Sequence, residues 1–367
     1  MTLRTLLLSM FLAVAVPLGW TVDATRRADL LYDGDRAAWL GLADEVARDA
    51  LRTPEAADFS TGSARFDGEW ALGTCQTAVV GLGAVIDRFP DTRDRYLPAM
   101  RACGAHLVSP ETLAFGSDAW GERALERDTF RGHAYLGYVG LALGVLRTHD
   151  PAFAHTREHD HIVRNLVAQL EERPLYALQT YPGEAYPPDQ AVVVAAIAAH
   201  PADHEAVVAR AVRDFRTVVD PATGLSAQAV RSDTGAGVDA PRGSGAMFAA
   251  LWLLPVDAEL ASELYTGGRA ALYRPVGPLG ALREYPDGHG GLGDIDSGPL
   301  VLGYSISATG FAMGPARALG DRSTFRALYR TSHLFGLAHP TASGWRYATG
   351  LSLGNAILLA SMTRSTH

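Results

Sequence analysis

Asp294 and Asp296 stand two residues apart in a glycine-rich stretch that runs straight into an uncharged, small-residue segment. One helix cap uses one carboxylate, so a pair this close asks for a second role. Two carboxylates confined together push their pKa values apart, and one becomes an acid while the other stays a base. Asp189 is a third candidate. It follows Pro187 and Pro188, which fix the backbone and leave the aspartate near a helix start. Glu184 and Tyr186 in the same stretch, YPGEAYPPDQ, add an acid and a phenol that a cap does not require. His133 precedes an apolar run, with Arg131, Tyr135 and Tyr138 around it. An imidazole titrates near neutrality and suits proton transfer.

The catalytic candidates are therefore Asp189, Asp294, Asp296 and His133. Tyr186, Glu184, Arg131, Arg242, Tyr138 and Trp345 are the substrate-binding candidates. Arginines suit an anionic group, and a tryptophan can stack on a sugar face. Each residue also has a plain structural reading: a cap for Asp189, a core histidine for His133, a loop arginine for Arg242. Asp67 and Glu69 read as ordinary charges at a helix N-terminus. No CxxC or HExxH occurs, and the DxD lacks further ligands at fixed spacing, so neither metal nor cofactor is expected.

These residues recur at one kind of place. Apolar, small-residue helices are expected to begin near Thr74, Gly132, Asp189, Gly243, Ser297 and Ala348, the fifth running unbroken from Pro299 to Gly314. An amphipathic segment alternates with each of them, the first of these spanning Arg26–Leu51. The period of about 50–60 residues suits two helices and two loops. A helix apolar all round belongs inside, and one with a single stripe belongs outside. The simplest closed arrangement is one all-α domain, a ring of six inner helices within six outer ones. An open solenoid used for binding is the alternative. The candidate residues lie just ahead of the inner helices.

The chain has 367 residues, 48% apolar and 20% charged, enough for a substantial core. A net charge of -8 argues against nucleic acid as a partner. Lysine is absent, and asparagine occurs only at Asn165 and Asn355, so arginine as the sole strong cation reflects composition. Leu6–Val22 is apolar behind Arg4, borderline between a signal sequence and a membrane span. Residues 1–24 are expected to be a signal peptide or an N-terminal anchor, and 25–367 one domain. Export to the periplasm or beyond follows, with residues 6–22 either removed or holding the chain at the inner membrane. Membrane contact is expected only through that segment. Cys75 and Cys103, the only cysteines, can pair in an exported protein or stay as buried thiols.

The repeat resembles the (α/α)6 toroid of the six-hairpin glycosidase-like superfamily, over roughly residues 30–365. The resemblance implies that the segments ahead of the inner helices line one funnel. It also implies an enzyme acting on a glycan or sugar acid, with carboxylates from separate entrances working as acid and base. A more local likeness, YPPDQ together with His133, is to linalool dehydratase/isomerase-type proteins. That likeness implies a lyase or isomerase acting on a small alcohol, with His133, Tyr138, Tyr186 and Asp189 at its site. This sequence departs from that pattern in having no cysteine near Asp189.

Overall fold

The computed structural model describes residues 3–123, 125 and 132–366, and the side-chain surroundings of all of these except 3–17 and 133–135. Its helices in chain order are α1 (Leu3–Asp33), α2 (Arg36–Ala50), α3 (Ala64–Arg88), α4 (Arg93–Leu107), α5 (Pro110–Trp120), α6 (His133–His149), α7 (Thr156–Glu172) and α8 (Pro187–Ala198). They continue with α9 (Glu205–Arg216), α10 (Gly243–Leu253), α11 (Ala258–Leu272), α12 (Ile306–Phe311), α13 (Met313–Ala318), α14 (Arg322–Phe335) and α15 (Leu351–Thr363).

The inner ring is α3, α6, α8, α10, α12 with α13, and α15, each packed on the next, and α15 closes it against α3. Helices α2, α4, α7, α9, α11 and α14 lie outside, and α1 packs along α14. Closure excludes the open solenoid. The inner helices are buried along most of their length: in α10 every residue but Phe248 is buried. The outer ones bury one stripe, as in α7 with His159, Ile162, Val163, Leu166 and Leu170. The closing seam needs a glycine. A Cβ on Gly81 of α3 would stand 2.8 Å from Leu359 Cγ and 3.1 Å from the backbone nitrogen of Ala360 in α15.

Side-chain caps set the outer helix starts: Asp35, Asp257 and Asp321 accept from the backbone N–H groups of Ala38, Leu260 and Thr324. A disulfide joins Cys75 in α3 to Cys103 in α4, with Cα atoms 5.0 Å apart. It closes a loop of 28 residues, worth on the order of 3–4 kcal/mol. Cys75 therefore offers no thiol for chemistry.

Three expectations are corrected. The fifth inner helix is not one run from Pro299: residues 299–305 turn, and α12 and α13 follow as two short pieces. The first amphipathic segment divides at Gly34, whose φ of 71° ends α1 before α2 begins. The first inner helix begins at Ala64, ten residues before Thr74. The all-α ring also carries three antiparallel two-stranded hairpins: β1 (Ala229–Val230) with β2 (Gly237–Asp239), β3 (Tyr273–Val276) with β4 (Leu279–Leu282), and β5 (Ala338–Pro340) with β6 (Trp345–Tyr347).

Candidate active site

The inner helices start on one face of the ring, and their first turns and preceding loops enclose a cavity of about 970 Å³. Three acids reach it from different elements. Glu69 projects from the second turn of α3, and its Oε2 accepts a 3.0 Å hydrogen bond from the Tyr181 hydroxyl. Burial, then the charges of Asp296 and Asp189, push the Glu69 carboxyl up to about 8. Arg65, stacked 4.5 Å over the Tyr181 ring, opposes this without overcoming it.

Pro187 and Pro188 open α8 and place Asp189 in its first turn. Its Oδ1 accepts from the Tyr138 hydroxyl at 2.5 Å and its Oδ2 from the Thr180 hydroxyl at 2.6 Å. Burial raises its pKa, and the two hydroxyl donors partly offset that by favouring the ionised form. The same burial, with Asp189 beside it, raises the Tyr138 phenol well above its ordinary value.

The segment between Glu284 and Ser305 supplies the third acid. Asp296 is open to the cavity, yet protein atoms crowd around it. That crowding, then Asp294 and Asp189, push its pKa up to about 7 against the pull of Arg242. Asp294 has another fate. Arg242 hydrogen bonds to it, and its Oδ1 accepts from the backbone N–H groups of Asp296 at 3.1 Å and Ser297 at 2.9 Å. It shapes the turn that presents Asp296. Arg242 also hydrogen bonds to Asp239, so its guanidinium is held by two carboxylates and offers no free fork for a substrate anion.

Glu184 and Tyr186 both line the cavity, the Tyr186 hydroxyl donating to Glu184 at 2.9 Å. Trp345 does not. It lies under Arg27 at 4.2 Å, and the tryptophan in the cavity wall is Trp70. Arg131 and the side chain of His133 lie outside the described residues.

Sequence reasoning missed Glu69 as a site residue. The signal was present in the helical period. Glu69, Gly73, Gln76 and Thr77 all line the cavity, which is one stripe of α3 carried back from its apolar part. Gln76 Nε2 and Gln228 Oε1 are buried in the cavity wall without partners, which is unmet hydrogen-bonding capacity where a ligand would lie. Much of the remaining wall is apolar, with Phe66, Phe248, Phe311, Met313 and Leu353, beside hydroxyls such as Ser307 and Thr331.

One group elsewhere has metal-ligand chemistry: His159, Asp160 and His200, with ligand atoms within 4.8 Å of one another. It lies outside the cavity. Arg147 donates to Asp160 at 2.6 Å and sits 3.4 Å from His159 Nδ1, so a guanidinium already supplies the cation there. Burial, then His200 and Arg147, push His159 down to about 4.

A closed ring of helical hairpins with acids at its mouth defines a helical toroid. Among solved structures it is similar to the GH76A alpha-1,6-mannanase of Salegentibacter sp. HEL1_6, at 13% identity over 88% of this chain and 98% of that one, with a TM-score of 0.52. An inactive variant of that enzyme, two consecutive aspartates replaced by alanine and alpha-1,6-mannotetrose bound, matches at 14% identity over 89% and 98%, TM-score 0.53. The variant with asparagines there, bound to alpha-1,6-mannotriose, matches at 13% identity over 89% and 99%, TM-score 0.53. No protein-family model matches the sequence, and no curated protein does.

Proposed function

We propose that this chain is an enzyme that breaks a glycosidic bond in its central cavity by carboxyl acid/base chemistry. The observation that carries this is the convergence of Glu69, Asp189 and Asp296 on one cavity, two of them titrating near neutrality. Helical toroids that bind mannooligosaccharides share the fold. Near pH 7 Glu69 keeps its proton and gives it to the leaving oxygen as the C–O bond breaks. The Asp189 carboxyl, whose ionised form the Tyr138 and Thr180 hydroxyls favour, takes a proton from the water that adds to the sugar carbon. Asp296, pushed up to about 7, is part-protonated at that pH, which limits the charge the cavity must hold, and exchange with water returns the proton from Asp189 to Glu69 after release. Tyr186 and Glu184 are assigned to substrate contact. The mannanase pair of consecutive aspartates has no counterpart, since no two aspartates are adjacent in this chain. Its acids come instead from α3, α8 and the 285–304 loop.

The test is hydrolysis of alpha-1,6-mannooligosaccharides and a broader glycan panel by the protein and by Glu69→Gln. Product release that disappears in the folded variant supports the reading. Equal release by both, or none by either, overturns it. In the latter case the apolar wall favours a second reading, acid-catalysed loss of water or isomerisation of a small alcohol, tested on apolar alcohols with the same variant.

Residues 1–24 are read as an anchor rather than a removed signal, and 25–367 as one exported domain. Helix α1 runs without a break from Leu3 into the domain, where Asp29 pairs with Arg322 and Arg326. Mass spectrometry of the mature N-terminus checks this, and an N-terminus after residue 24 overturns it.

A further inference from the structure

Helix α1 fixes which way the cavity faces. Asp29 and Asp33 pair with Arg322 and Arg326 at the start of α14. Thr25 meets Arg330, and Trp20 stacks on His333 at 6.5 Å near the end of α14. The two helices are thus antiparallel, and α1 runs N-terminally toward the end of α14 that carries Phe335. Phe335 lines the cavity mouth. Beyond Trp20, Gly19 has nothing within 4 Å and Leu18 is exposed. Helix α1 therefore leaves the domain on the mouth side and extends from Gly19 to Leu3, about 25 Å at 1.5 Å per residue. The sequence of that extension is the apolar stretch of the N-terminus.

The mouth carries exposed apolar side chains beside charged ones such as Arg65 and Glu184. Leu302, Val238, Val301 and Phe335 line it and are exposed, Leu302 at 92%. Leu292, 97% exposed, and Leu337, 65% exposed, flank it in sequence, two residues before the lining Asp294 and one after the lining Gly336. Leu302, Leu337 and Leu351 hold φ values of 54°, 51° and 52°, a left-handed backbone that favours glycine and costs a leucine about 1–2 kcal/mol. Leucines that are both exposed and strained are disfavoured in water on two counts, and a lipid surface removes the first.

We propose that the cavity mouth is a membrane-docking surface. With α1 in the bilayer, the rim of Leu292, Leu302, Leu337 and Phe335 dips into the boundary between headgroups and acyl chains. The cavity then takes an amphiphilic substrate from the membrane, its polar end at the acids and its tail along Phe248, Phe311 and Leu353. The substrate half rests on the acid/base reading above, and the docking half does not. Membrane contact then extends beyond the N-terminal segment.

Both native cysteines are in the disulfide, so an introduced cysteine is unique. The full chain carrying Leu292→Cys or Leu337→Cys is labelled with a polarity-sensitive dye and reconstituted in phosphatidylethanolamine/phosphatidylglycerol vesicles containing a lipid-borne quencher. Ser323→Cys, at the opposite end of α14, is the reference. Quenching several-fold greater at 292 and 337 than at 323 is expected. Equal quenching at all three positions, or none at 292 and 337 while α1 is membrane-inserted, overturns the proposal. Quenching does not depend on Glu69, so retained turnover in Glu69→Gln would sink the acid/base reading and leave docking standing.

Discussion

Acids on the outside of the ring and acids in its cavity have opposite surroundings. Outside, Asp29 and Asp33 of α1 meet Arg322 and Arg326 of α14. The Arg322 hydrogen bond holds Asp33 below the usual carboxylate range. Burial pulls Asp29 upward, but its bonds to Arg326 and Arg322 prevail and its pKa falls. In the cavity Glu69, Asp189 and Asp296 accept from hydroxyls or from nothing, and all three are raised. Carboxyls are thus held as fixed charges by arginines in one region and raised toward neutrality in the other. The absence of a bonded cation makes the difference. Crowding uncompensated carboxyls opposes folding, so their gathering points to chemistry.

The strongest way to break this contrast is in the cavity. Glu69→Gln and Asp189→Asn are each expected to lower turnover about 10²–10⁴-fold, read from initial rates with circular dichroism confirming the fold. Stability should move the other way. Glu69 titrates near 4.5 when unfolded and about 8 when folded, so its contribution is complete below 4.5 and lost as pH rises to about 8. Glu69→Gln should therefore melt increasingly above the parent across that window, and thermal melts at pH 5 and pH 9 check it.

A subtler change sharpens the comparison. Asp296→Asn removes the neighbour that most raises Glu69 electrostatically, so the alkaline limb of the pH–rate profile should shift below about 8. An unmoved limb would break the coupling between the two. Asp294→Asn removes the neighbouring charge that most raises Asp296 and should lower that carboxyl from about 7, a change read by NMR titration of Asp296. The acidic limb, set by Asp189, should move less than the alkaline limb does in Asp296→Asn. The smallest effect is expected outside. Arg322→Gln leaves Asp33 exposed to water, and the melting temperature should scarcely move, least of all at high salt.

The ring was legible because its signal is periodic. Alternation of all-apolar and one-striped helices survives in any sequence that buries the former behind the latter. Asp189 was legible for a local reason, since two prolines announce a helix start. Glu69 was not, because the change in composition at Thr74 marks where α3 becomes buried, and the helix itself begins at Ala64. Asp294 and Asp296 looked equivalent in sequence. Arg242, about fifty residues earlier and in another hairpin, separates them, and no local pattern encodes that meeting. Trp345 was misplaced for a similar reason, as its partner Arg27 comes from the other end of the chain.

The seam between α3 and α15 has a consequence for how the molecule comes into being. The first and last members of the inner ring must find each other across nearly the whole sequence, which is a slow contact to make. Until α15 is synthesised, α3 shows its apolar flank to whatever is nearby. The finished cavity is then the last feature acquired, because Leu353, Ile357 and Leu358 of α15 complete its wall only when the circle shuts. A chaperone or the membrane surface that shields this flank during synthesis would govern yield without touching the finished protein.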